Sequence, residues 1–113
     1  MNRLFVPLNN EAFYWFKNNG KKYELRAYGP RWNEKHVFEG RKVELRRGYS
    51  TPDSIKGKIG KIAIGTLAKV FSEIDYKKII PPAKSAKEAV LIINRMIGNK
   101  KKFIAFEIAR QME

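Results

Sequence analysis

Lys21, Glu24 and Arg26 fall within the run KKYELRAYGPR, and a second Glu-Leu-Arg triplet follows at Glu44, Leu45 and Arg46 in RKVELRRGYS. A lysine close to a carboxylate can do acid–base work once burial shifts their proton affinities. An arginine offers a planar fork of donors for a phosphate or a carboxylate. Around the two triplets lie the cations Lys22, Arg31, Arg41, Lys42 and Arg47 and the aromatics Tyr28, Trp32 and Tyr49. Basic groups meet phosphates, and an aromatic face stacked on a base contributes ~1–3 kcal/mol, so this interleaving suits a single-stranded polyanion. A structural reading accounts for the repeat equally well. Antiparallel strands with Glu24 opposite Arg46 and Arg26 opposite Glu44 would form crossed ion pairs, each worth about 0.2–1 kcal/mol on an exposed face.

The elements that must position these residues follow from the hydrophobic pattern. RLFVP, Arg3 to Pro7, reads as a first strand. Asn9 or Asn10 caps a helix over NEAFYWFKNN, with Ala12, Phe13 and Phe16 on one face and Gly20 at its end. Tyr14 and Trp15 are expected to pack at its side. From Lys22 to Tyr28 the residues alternate as in a strand, and Arg41 to Arg47 repeats the pattern with Val43 and Leu45 inward. GYSTPDS, from Gly48 to Ser54, is turn chemistry. A long β-rich segment is expected from Lys58 to about Ser72, with Gly65 a bulge or bend. A second helix spans roughly Ser85 to Ile97, capped by Ser85 with Glu88 three residues on, and presents Ala86, Ala89, Val90, Ile93, Met96 and Ile97. FIAFEIA is a last strand. The order β-α-β-β-β-α-β predicts an α+β domain over residues 1–113, a small, mixed, partly closed β-barrel with two packed helices.

Composition narrows the function. Of 113 residues, 24 are Lys or Arg and 11 are Asp or Glu, a formal net charge of +13. The excess is divided almost evenly between the two halves of the chain, so it belongs to the fold and not to a tail. A basic domain of this kind is expected to bind polyanions, nucleic acid above all, though a lysine-rich solvated surface is the plainer explanation. No cysteine is present, which excludes disulfides, thiol catalysis and thiolate zinc sites and fits a cytoplasmic setting. No apolar run is longer than that of Ala89 to Ile93, far short of the ~20 residues that span a bilayer, and the N-terminus lacks a signal-peptide core. No membrane role, metal or cofactor is expected. The single histidine, His36, reads as a surface loop residue. Gly57 to Gly60, GKIG, matches a backbone-clamping GXXG, but that motif joins two helices; here a turn is expected.

NGKKYELR, directly after a short helix and within this order of elements, resembles the ASCH domain, a PUA-like family whose signature runs Gly-x-Lys-x-x-Glu-x-Arg. Aligned on Glu24 and Arg26, Lys21 takes the family's lysine position, while Asn19 stands where glycine is usual and Gly20 follows. VFEGRKVELRRGYS looks like the next family segment, and the resemblance extends over nearly the whole chain. It implies a curved barrel with a cleft lined by Lys21, Glu24 and Arg26, supported by Arg31, Arg46, Arg47 and Tyr49. It also implies binding of single-stranded RNA or a nucleotide, since the family is generally considered RNA-binding. The alternative it brings is a small hydrolase using Lys21 and Glu24, because one branch hydrolyses acetylated cytidine and another member is reported to cleave RNA. The amidohydrolase branch carries a Thr nucleophile where this chain has Glu24.

Overall fold

Asn9 begins the first helix by accepting from the Ala12 amide at 2.7 Å, and this cap separates β1 (Leu4–Leu8) from α1 (Asn10–Asn18). The structure, a computed structural model, describes residues 2–49 and 52–111. After α1 come β2 (Tyr23–Ala27), β3 (Lys42–Arg47) and β4 (Ser54–Gly65). Then follow α2 (Leu67–Glu73), a 3-10 turn at Tyr76–Lys78, α3 (Ala86–Ile97) and β5 (Phe103–Arg110). The five strands form one curled sheet in the order β1-β3-β4-β5-β2, with β1 parallel to β3 and every other pair antiparallel.

The architecture is the expected α+β, partly closed barrel, with three corrections. First, the long β segment stops at Gly65, and LAKVFSE is helical, so there are three α-helices where two were expected. Thr66 caps α2 by accepting from the Lys69 amide at 3.2 Å. Leu67, Val70, Phe71 and Ile74 then recur at helical spacing, with Val70 and Ile74 buried. Second, GKIG is no turn but the middle of β4. The bulge falls there, between Ile59 and Ile62, and not at Gly65. Its extra residue keeps Ile59, Ile62 and Ile64 on the same side of the sheet, facing Ile108, Phe106 and Ile104 of β5. Third, β2 and β3 do not pair. Leu25 of β2 faces Ala105 of β5, and β3 lies between β1 and β4.

That register separates the two charged triplets. Glu24 and Arg26 pair with Phe106 and Ile104, whose side chains are fully buried, so the first triplet faces the barrel interior. Glu44 pairs with Phe5 and Lys56, out of phase with the buried Val43 and Leu45, so the second triplet faces outward. The crossed ion pairs therefore do not form. Each Glu instead pairs with the Arg two residues on along its own strand: Glu24 with Arg26 at 2.7 Å, and Glu44 with Arg46 at 3.4 Å. The core joins Val6, Val43, Leu45, Ile59 and Phe106 inside the barrel to Phe13 and Phe16 of α1 and Ile93 of α3. Ser50 and Thr51 of the expected Gly48–Ser54 turn lie outside the described residues.

Candidate functional site

The end of α1 places the first site residue. The amides of Asn19 and Lys21 both donate to the Trp15 carbonyl, at 3.0 and 3.1 Å, and Gly20 makes the turn with φ +80°. The chain thereby folds back under the helix, and Lys21 is 5% exposed. Its Nζ donates to the Ile79 carbonyl at 2.6 Å, lies 3.6 Å from Glu24 Oε1 and sits 5.1 Å from the centre of the Phe16 ring. Burial pushes the Lys21 amine down to about 8, against the opposing pull of the Glu24 carboxylate.

Glu24, also buried, holds Arg26 with its other oxygen, Arg26 Nε donating to Oε2 at 2.7 Å. Arg26 Nη2 donates to the Pro7 carbonyl at 2.7 Å. Since β1 and β2 are the two outer strands of the sheet, this side chain bridges the seam of the barrel. Trp32, from the loop after β2, packs nearly parallel to Phe106 with centroids 6.1 Å apart and has the Arg26 guanidinium 4.5 Å from its centre. Asn33 ties that loop down by donating to the Gly29 carbonyl at 2.8 Å.

A cleft of about 270 Å³ opens at the seam. Lys21, Glu24 and Arg26 supply its polar side, and Leu8, Trp15, Ile80, Ile93, Met96 and Ile97 supply much of its apolar wall. An apolar cavity with a few convergent polar groups is the usual form of a small-molecule site. Here Glu24 is an acceptor, Lys21 a donor that is readily deprotonated, and Arg26 a fixed fork.

Of the residues expected from sequence, Lys21, Glu24 and Arg26 come together, while Arg31, Arg46, Arg47 and Tyr49 do not line this cleft. Arg31 is exposed on the loop, 5.8 Å from the Trp32 ring. Arg46 lies on the outer face beside Glu44 and Phe5. Arg47 holds Asp53 at 2.8 Å, and Tyr49 is exposed beside Phe5. His36 is exposed on its loop. Trp15, Ile79 and Met96 were not expected at a site. Their apolar character marks them only as core, and the Ile79 contribution is a carbonyl that no side chain advertises. Among the described residues no helix is long and apolar enough to cross a membrane, and no cluster of three His, Cys, Asp or Glu forms a metal site.

Comparison with solved structures shows the same fold elsewhere. The crystal structure of hypothetical protein PH0355 matches over 97% of this chain and 100% of its own, with a TM-score of 0.76 and 19% identity. The solution structure of protein PF0455 from Pyrococcus furiosus matches over 99% and 100%, with a TM-score of 0.67 and 17% identity. The crystal structure of ASCH from Zymomonas mobilis matches over 96% of this chain and 66% of its own, with a TM-score of 0.62 and 12% identity. The chain thus has the ASCH, PUA-like fold. No family model and no curated protein matches the sequence.

Proposed function

We propose that the chain binds single-stranded RNA or a nucleotide, holding one base or nucleoside in the seam cleft. The observation that carries this reading is the convergence of Lys21, Glu24 and Arg26 on one side of a cavity whose remaining wall is largely apolar. A flat heterocycle would lie against Trp15, Ile80 and Ile97, while Glu24 accepts a hydrogen bond from its N–H edge. The fork of Arg26, held by Glu24, Pro7 and Trp32, presents Nη1, which has no hydrogen-bond partner among the described residues. The net charge of +13 favours an anionic ligand, and the likeness in fold to ASCH structures supports RNA.

The test leaves the buried charges untouched. Met96 stands at the cleft and is 42% exposed, so Met96→Glu puts a negative charge at the site without disturbing the core. Ala86→Glu, exposed on the same helix and away from the cleft, makes the same change in net charge. Met96→Glu should weaken nucleoside monophosphate and short RNA binding by about tenfold, or about 1.4 kcal/mol, and Ala86→Glu should weaken it far less. Equal losses would mean that the cleft is not the site.

One observation favours a second reading, a small hydrolase. An amine lowered to about 8 is partly neutral near physiological pH, and a neutral Lys21 beside Glu24 can take a proton from water. Turnover of acetylated cytidine or of labelled RNA is its direct test.

A further inference from the structure

Lys21 also lines a second groove, of about 410 Å³, where α1 ends and β2 begins. That groove shares Ala109 and Arg110 with a third, of about 490 Å³, which reaches across the sheet to Arg3. Along the two grooves each strand supplies one cation at the same end of the barrel. In spatial order these are Arg3 just before β1, Lys42 of β3, Lys58 of β4, Arg110 of β5 and Lys22 just before β2. All five are exposed. By register Lys42 and Lys58 share the outer face with Glu44, whereas Arg110, opposite Gly57, and Lys22, beside Ile108, are in the inward phase, so the row turns over the rim of the barrel between Lys58 and Arg110.

Internal pairing does not account for the row. Among the described residues Lys22, Lys42 and Lys58 have no ion pair, while Arg3 lies 3.6 Å from Glu44 and Arg110 Nη1 donates to the Phe16 carbonyl at 3.4 Å. Among the described residues Glu107 is the one carboxylate lining the grooves, and its Oε1 already accepts from the Lys61 amide at 3.1 Å. Lys42 and Lys58 stand directly opposite each other on neighbouring strands. Like charges in that relation destabilise a sheet. Their placement costs the fold unless an anion lies between them.

We propose that this row is a track for the phosphodiester backbone of a single nucleic-acid strand, ending where Lys21 separates it from the seam cleft. Its end point rests on the function proposed above; the track itself rests on the five cations. A run of charge along the barrel rim can follow a flexible phosphate chain, and continuity with a one-base cleft selects a single strand over a duplex, whose bases stay stacked.

The experiment is a fluorescence anisotropy titration of labelled single-stranded RNA and of a short abasic phosphodiester strand, repeated over a range of salt. The wild-type protein is compared with K42S/K58S and with K87S/K101S, whose lysines are exposed and line neither groove. The abasic strand should bind wild type at low salt. The log–log salt slope should fall by about 1.4 in K42S/K58S, two phosphates at about 0.7 each, and stay near the wild-type value in K87S/K101S. Equal slopes in the two variants, or no binding of the abasic strand, overturns the track. So does polyglutamate of matched charge competing as well as the abasic strand. Mononucleotide binding, read in parallel by tryptophan fluorescence, reports on the cleft alone. Its loss with abasic binding intact would refute the cleft and spare the track.

Discussion

Arg26 and Pro7 belong to the two outer strands of the sheet, and the guanidinium of one donates to the main-chain carbonyl of the other at 2.7 Å. With Nε held by Glu24, the same side chain both joins the barrel seam and forms a wall of the cleft. Arg26→Ala should therefore cost about 3 kcal/mol of stability, because it strands the buried Glu24 carboxylate between a lost partner and Lys21. Arg26→Lys keeps the charge but cannot reach both acceptors with a rigid fork, and should recover only part of the loss. Urea unfolding of the two variants measures this. A change below 0.5 kcal/mol in Arg26→Ala, well under the ~3 kcal/mol expected, would show that the seam does not depend on the contact.

Lys21 gives stability a distinctive pH dependence. Its amine is lowered in the folded protein to about 8 from an ordinary 10.5, chiefly by burial. Between those values the unfolded chain holds the proton that the folded chain has released, so stability rises as pH increases through this window. The full effect is about 3 kcal/mol. Removing other lysine charges also relieves repulsion at high pH, so the comparison is with Lys21→Met. Thermal or urea unfolding between pH 8 and 10 should show the gain in wild type and a flatter profile in the variant. Parallel profiles would mean that Lys21 titrates normally.

Catalysis is expected to be absent for acetylated cytidine. Glu24 occupies the place of the Thr nucleophile expected from the amidohydrolase resemblance, and both its oxygens are engaged, one by Arg26 and one facing Lys21. Loss of a nucleophile removes orders of magnitude of rate even where the rest of a site persists. Incubation of purified protein with acetylated cytidine and with labelled RNA should show no turnover above background. Robust turnover that disappears in Glu24→Gln would make Glu24 a catalytic carboxylate and replace the binding reading with the hydrolase.

Two glycines should respond to alanine for different reasons. At Gly57 a Cβ would lie 2.5 Å from the Ala109 carbonyl oxygen and 3.1 Å from its carbon, both in the backbone of β5. β4 and β5 would have to separate, at a cost of about 2–3 kcal/mol. At Gly20 a Cβ has open space, and only the left-handed turn, φ +80°, resists it, for about 1 kcal/mol. Denaturant midpoints for the two variants should fall in that order.

The helix–strand pattern made much of this fold legible. The N-caps at Asn9 and Ser85, the left-handed Gly20 and the alternation in β2 and β3 are local signals, and the structure repeats them. What escaped was set by phase or by partners distant in sequence. α2 was hidden because a β-branched run leads straight into Thr66, although Leu67, Val70, Phe71 and Ile74 keep helical spacing. The bulge was misplaced because Ile59 and Ile62 have the wrong spacing for a plain strand, and only pairing with Ile108 and Phe106 reveals the extra residue. Strand partners were illegible because Glu-Leu-Arg invites pairing with its own copy, whereas burial against Phe106 decides the matter for Glu24. At the site, a family pattern of three residues sufficed to find the polar side of the cleft. Its apolar walls are ordinary core residues until the seam exposes them.

Pro7 has one more consequence, for the company the barrel keeps. The Leu8 carbonyl turns inward and accepts from the Gly48 amide, so the Pro7 main chain, one residue back, turns toward the open edge. A proline there costs no hydrogen bond inside the sheet, yet it removes a donor from the side of β1 on which a stranger could add a strand. The one carbonyl left at that point is already taken by Arg26. A neighbouring molecule seeking to extend the sheet would find a missing donor, an occupied acceptor and a cation in its way. The β1 edge of an open barrel is thus shielded from edge-to-edge pairing without the barrel being closed.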